Sequence, residues 1–223
     1  MKRLNWSVFF LILSLSLKGQ PRADYGFMAG ISSYMGDINP GRLMYSPKPA
    51  GGLFYRFNFN PRQALRANIM AGGLNGNDLD FSNSFQQSRA RSFSGLFGEL
   101  AIQYEFNFFP YSTDGKTLDY TPYLAAGAGV AYSMTVTNEL LPVIPFSIGF
   151  KFNILKNMGL EAEYGFRKTF YDNFDGLKDF VDPADYSLIH NNDWYSFAGI
   201  SLTWKLMSKL AGCPAYGDAD SNR

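Results

Sequence analysis

Hydrophobic and polar positions alternate with a period of two over most of the chain. The clearest stretch runs from Ile144 to Phe170. Phe146, Ile148, Phe150, Phe152 and Ile154 share one face, and Ser147, Gly149, Lys151 and Asn153 share the other. After a short Lys-Asn turn the alternation resumes, with Leu160, Ala162, Tyr164 and Phe166 set against Glu161, Glu163, Gly165 and Arg167. Successive side chains of a strand point to opposite faces, so each run predicts a strand between two environments, and the pair predicts a hairpin.

Six further runs carry the same pattern. They span about 25–34, 51–59, 64–74, 92–106, 122–132 and 194–206. Turn and breaker residues separate them: Gly36 to Gly41 with Pro47 and Pro49, a Gly/Asn/Ser-rich stretch over 75–91, and Asp114-Gly115. A polar stretch over 168–192 precedes the last run. No amphipathic helix of useful length is predicted between them. Connections after the first, third, fifth and seventh strands read as long and polar, and those after the second and sixth as short. The connection after the fourth is longer than this scheme expects.

Eight strands of roughly 9–15 residues suit a membrane barrel, whose strands need about 9–11 residues to cross at a tilt. The ionisable residues on the polar faces are Arg56, Arg66, Glu99, Glu105, Lys151, Glu161, Glu163, Arg167 and Lys205. Their signs are mixed. An eight-stranded barrel is just wide enough inside for side chains to fill, so these nine are expected to form an ion-pair network in the lumen. Aromatics near the strand ends are expected to form girdles at the two membrane interfaces: Tyr25, Tyr34, Tyr55, Phe108, Phe109, Tyr111, Tyr120, Tyr123, Trp194, Tyr195 and Trp204. The predicted fold is all-β, an eight-stranded antiparallel up-and-down transmembrane β-barrel. A soluble lipocalin-like barrel is the alternative, with the faces reversed and Phe146, Ile148, Phe150 and Phe152 inside.

Composition agrees with the membrane version. Charged residues are 17% of the 223, against roughly 25% in soluble domains. The N-terminus adds to it: Lys2 and Arg3 precede an apolar run from Trp6 to Leu17, too short for a spanning helix of about 20 residues. That reads as a secretory signal peptide over 1–19, with a retained anchor as the alternative. The barrel is then 20–207, and 208–223 is a periplasmic tail. Loss of Lys2, Arg3 and Lys18 leaves 17 basic residues against 19 acidic, with no basic excess to recruit nucleic acid.

Candidate chemistry is sparse. His190, Asp193 and Ser196 lie close in sequence, but a triad is defined by geometry, and Ser196 is expected on the lipid-facing side of its strand. Asp172 is a further neighbour for an acid/base site at the loop rim. One His and one Cys cannot make an ordinary zinc site, and no cofactor is expected. Cys213 in the tail has no second cysteine within the chain, so it is either idle or a partner contact through an intermolecular disulfide.

Several strings taken in order resemble a known family. They are Ser33-Tyr-Met-Gly-Asp-Ile-Asn-Pro40, Phe54-Tyr-Arg-Phe-Asn-Phe-Asn-Pro61 and Glu99-Leu-Ala-Ile-Gln-Tyr-Glu-Phe-Asn-Phe-Phe-Pro110, then Pro145-Phe-Ser-Ile-Gly-Phe-Lys151, Gly165-Phe-Arg-Lys-Thr-Phe170 and Asn192-Asp-Trp-Tyr-Ser-Phe197. Together they look like the PorG family of outer-membrane barrels of the type IX secretion system. That resemblance implies a non-catalytic outer-membrane protein needed for secretion of proteins with a C-terminal sorting domain. It implies contact with a periplasmic ring of the PorK lipoprotein and PorN. The periplasmic turns and the tail around Cys213 would then face the ring, and outer-membrane lipid would surround the barrel. The competing reading is a small outer-membrane barrel for ligand binding or transport, without a secretion role.

Overall fold

The computed structural model describes residues 23–36, 38–39, 41–82, 84–113, 119–135, 138–155, 157–170 and 193–206. The expected signal peptide and C-terminal tail lie outside these residues, as do Asp172, His190 and Cys213.

Eight antiparallel strands close into one barrel in sequence order. They are β1 (Ala23–Met35), β2 (Lys48–Asn60), β3 (Gln63–Asn77), β4 (Ser92–Asn107), β5 (Tyr120–Met134), β6 (Asn138–Leu155), β7 (Met158–Thr169) and β8 (Trp194–Lys205). β1 pairs with β8 to complete the ring. The start of β1 and the finish of β8 lie at one end, here the turn end, with the β2–β3 and β6–β7 turns. The β1–β2, β3–β4 and β7–β8 connections lie at the loop end.

The register fixes the barrel's shape. Ala23 pairs with Phe57, then follow Leu65, Tyr104, Ala126, Phe146, Phe166, Ser196 and finally Ser33, ten residues beyond the start. With about 3.3 Å between residues and about 4.7 Å between strands, that stagger corresponds to a strand tilt of about 40°.

Apolar side chains face outward, as the alternation predicted for a membrane barrel and against the reversed, soluble version. Leu53, Ile69, Leu100, Ile102, Phe146, Ile148 and Ile200 are exposed, while Arg56, Arg66, Lys151 and Glu161 are buried. Such a surface is stable only where lipid meets it. Exposed rings cluster at the turn end. Trp204 stacks on Tyr25 and tilts against Phe27, Phe57 meets Phe59, Phe106 meets Phe108, and Tyr120 lies between Phe109 and Phe150.

The expected girdle needs correction at four positions. Tyr34, Tyr111, Tyr123 and Tyr195 are buried inside the barrel. A phenol there keeps its ring among apolar atoms while its hydroxyl reaches a polar partner. Three of the four donate to carboxylates: Tyr34 to Asp193, Tyr123 to Glu163 and Tyr195 to Glu99, at 2.5–2.7 Å.

Element boundaries differ in three places. β3 continues through Asn75 and Asn77, which pair with Ser94 and Ser92. Polar residues stay in a strand once it has risen past the lipid. β6 starts at Asn138 rather than near Ile144, which makes the β5–β6 connection short rather than long. Pro142 and Pro145 both lie within β6. Pro142 lies opposite no β7 residue, and the β5–β6 ladder skips the position of Pro145; a proline fits where no N–H is required. The third connection, expected to be plain loop, holds a 3-10 turn (Asp78–Asp80) and a six-residue helix, α1 (Ser84–Arg89).

Candidate functional site

The interior divides into two halves along the barrel axis. Inward positions toward the turn end carry a belt of buried charges. Arg56 donates from Nη1 and Nη2 to both oxygens of Glu161 at 2.7 Å, and its Nε lies 2.7 Å from Glu105. Arg66 donates to Glu163 at 2.6 Å and to the Gln103 carbonyl at 2.8 Å, with its Nε 3.1 Å from Glu105. Lys151 donates to Glu105 at 2.5 Å and to Asn107 at 3.2 Å. Glu105 thus binds three cations. Arg167 is held more loosely, 3.4 Å from Glu99 and 3.7 Å from Glu163.

All nine residues predicted for the lumen face inward. Lys205 is at the turn end, 3.9 Å from Asp24. Asp24 is a tenth member that the sequence reading missed, because it precedes the first aromatic alternation. It brings the belt to five acids and five bases. Neutral donors complete the acceptors, with Thr203 on Glu161 and Asn58 on Asp24.

Buried charges are expensive unless paired and hydrogen-bonded, and the belt meets that requirement with one bidentate pair, Arg56 with Glu161, and with short single contacts from Arg66 and Lys151. The inward positions of β5 between 125 and 131 are small, Ala125, Gly127, Gly129 and Ala131, and a Cβ on either glycine would run into the backbone of β4.

The long β4–β5 connection has a structural role. Tyr111, Ser112 and Thr113 fold under the turn-end mouth. Tyr111 donates its backbone N–H to the Pro61 carbonyl and its hydroxyl to Asn153 at 2.7 Å. Asn153 donates to the Ser112 carbonyl, and Thr113 donates to Asp24 at 3.0 Å.

Toward the loop end the lumen turns apolar. Met28, Phe54, Met70, Leu74, Phe93, Phe97, Leu141, Val143 and Phe197 form one buried cluster with Tyr34, Tyr195 and Ile38. Aromatic rings mark the boundary: Arg56 lies 5.0 Å from the Phe54 ring, Lys151 4.3 Å from Tyr123 and Arg167 5.4 Å from Phe197.

Among the described residues the β1–β2 and β3–β4 connections pack into a cap at the loop end. Asp78, buried, accepts two bonds from Arg89 at 2.7 Å and one from the Arg91 N–H at 3.0 Å. Tyr45 donates to Asp80, Arg42 lies over Phe81, and Gln86 of α1 donates to the Ile38 carbonyl. Burial alone would raise the Asp78 pKa, but the Arg89 and Arg91 hydrogen bonds and the Arg89 charge outweigh it and hold the carboxyl below its usual value. Burial and the hydrogen bond to Asp80 push the Tyr45 phenol up to about 12.

The acid/base alternative is not assembled among the described residues. Asp193 accepts from Tyr34 and, through its carbonyl, from Thr169; it braces the end of β7 against β1. Ser196 falls on the outward register of β8 and is buried. No group of three metal-ligating residues occurs among those described.

The family model described as "Domain of unknown function (DUF6089)" matches residues 2–215. The chain belongs to the DUF6089 family. No curated protein matches this DUF6089 sequence. Among solved structures, Neisserial surface protein A (NspA) is similar with a TM-score of 0.52 at 10% identity, over 85% of this chain and 100% of that one. The N-terminal barrel domain of Pseudomonas aeruginosa OprF aligns with a TM-score of 0.44 at 9% identity, over 83% of this chain and 100% of its own. At such identities the likeness is one of fold: this DUF6089 chain is a closed eight-stranded barrel of the outer-membrane kind.

Proposed function

We propose that this protein is a non-conducting outer-membrane barrel that anchors a secretion assembly. The observation that carries this reading is the filled lumen: a charge-balanced belt, an apolar upper half, the Tyr111–Thr113 segment under one mouth and the loop cap over the other. A barrel filled in this way offers its surfaces rather than a path. The resemblance to PorG-like proteins names the assembly, the type IX secretion system. The partners are a ring of PorK-like lipoprotein and PorN-like protein beneath the membrane, with both termini on the periplasmic side. Cys213 is then placed to contact the ring, through a disulfide if the partner offers a thiol.

Capture of a tagged copy from outer membranes in mild detergent tests this reading. Ring proteins co-elute if it is right. A high-mass band that collapses on reduction, and is missing in Cys213→Ser, assigns the contact to the tail. Elution of the barrel alone removes the secretion role. Planar-bilayer recording gives a second check, since sustained conductance is incompatible with a filled lumen.

A further inference from the structure

Arg167 differs from the other arginines of the belt. Its side chain is 1% exposed, yet its contacts to Glu99 and Glu163 are 3.4 and 3.7 Å. Charge-assisted pairs normally close to about 2.7–2.9 Å, as those of Arg56 and Arg66 with their carboxylates do. Arg167 Nη1 makes no hydrogen bond, and Ser147 Oγ, Gln103 Nε2 and Asn68 Oδ1 make none either. Orphaned polar atoms at this depth require partners.

These atoms are not scattered. A Cβ placed on Gly165 would crowd both Ser147 Oγ and Arg167 Nη1, so the two converge over that glycine. Ala125, Ser147 and Gly165 share one register row, a wall of small side chains. Gln103 approaches through Arg66, which it shares with Glu163, and Asn68 donates to Glu99 at 3.3 Å. Both are therefore bound to partners of the two carboxylates or to the carboxylates that flank Arg167.

We propose that the lumen holds a buried water site over Gly165, bridging Arg167 to Ser147 and extending toward Gln103 and Asn68. Water fits better than an anion for two reasons. The belt is already balanced, and Glu99 and Glu163 stand beside Arg167, so an added negative charge would be uncompensated. Asn68 Oδ1 also needs a donor, which a halide cannot supply. A buried water typically makes about three hydrogen bonds to such groups.

The test is a crystal structure of the full chain in detergent, at a resolution that locates solvent, with a bromide-soaked crystal in parallel. Solvent peaks within about 3.5 Å of Arg167 Nη1 and Ser147 Oγ, and no anomalous peak there, are expected. In Gly165→Ala the peak nearest the added methyl disappears; in Ser147→Ala the peak on Arg167 remains while its contact to position 147 is lost. The proposal fails if Arg167 bonds Glu99 or Glu163 directly around a dry site, or if bromide occupies it. Should Gly165→Ala not fold, the unsubstituted and Ser147→Ala maps still decide.

Discussion

The two halves of the lumen solve the same problem, filling a narrow barrel, with opposite chemistry. The turn-end half uses long charged side chains whose partners must all be present. Near the loop end, rings and aliphatic groups take over, each needing only neighbours of the right volume. Errors therefore propagate differently. In the belt, loss of one group leaves another buried without its partner. In the apolar cluster, loss of one group leaves a cavity and nothing else.

Arg56→Met is the sharpest way to expose this difference. It leaves Glu161 without its bidentate partner, and a cost of about 3–5 kcal/mol is expected from urea unfolding in lipid vesicles. Adding Glu161→Leu should recover part of that loss, because Glu105 retains Arg66 and Lys151. No recovery would mean that the belt acts through packing, and the contrast between the halves would collapse.

Met70→Ala, in the apolar half, should cost about 2–5 kcal/mol by the same measurement. A second truncation beside it should add to the loss. Recovery there would place the two halves under one rule.

The cap should respond to pH. The Asp78 pKa lies below its unfolded value, so its contribution is present above about pH 4 and is lost as pH falls through the folded value. The Tyr45 pKa is raised to about 12, so its contribution is full below about pH 10 and disappears as pH climbs from there toward 12. Near-ultraviolet circular dichroism of Tyr45 and its neighbours at graded pH reads the opening, and Asp78→Asn should be cut readily by trypsin after Arg89 or Arg91 at neutral pH. Protection of that variant would show that the cap rests on Tyr45 and Phe81 instead.

The smallest effect is expected outside. A Cβ at Gly98 meets nothing within 4 Å, and the residue lies in an outward recess of about 450 Å³ between Leu53, Ile69, Leu100 and Tyr132. Gly98→Ala should change stability by no more than about 0.5 kcal/mol.

Much of this was legible in the alternation. Placing Phe146 and Ile148 opposite Ser147 and Lys151 was enough to find the strand, and the same reading put Arg56, Glu105 and Glu161 on one side of the wall. What alternation cannot supply is depth. Phe54 and Arg56 share an inward face, yet one belongs to the apolar cluster and the other to the belt, and only register separates them. Pairings such as Arg56 with Glu161 follow from a stagger that accumulates around the whole ring. Four tyrosines were placed outside because ring chemistry alone does not say whether a carboxylate waits within. Asp24 was lost at a boundary, where the strand was expected to begin two residues late.

The partners in the belt are far apart along the chain: 105 residues separate Arg56 from Glu161, 97 separate Arg66 from Glu163 and 96 separate Glu99 from Tyr195. During synthesis Arg56 and Arg66 emerge well before the carboxylates on β7. Until then only Asp24, 3.9 Å from Arg56, and Glu105 are there to attend to them. Neutrality of the interior is thus reached late, when the sixth and seventh strands join and the last strand meets the first. A half-assembled ring would carry bare guanidinium groups on a surface facing lipid, and this penalises partial insertion. The same ten charges that fill the finished barrel make entry into the bilayer close to an all-or-none event, timed by the C-terminal third of the chain.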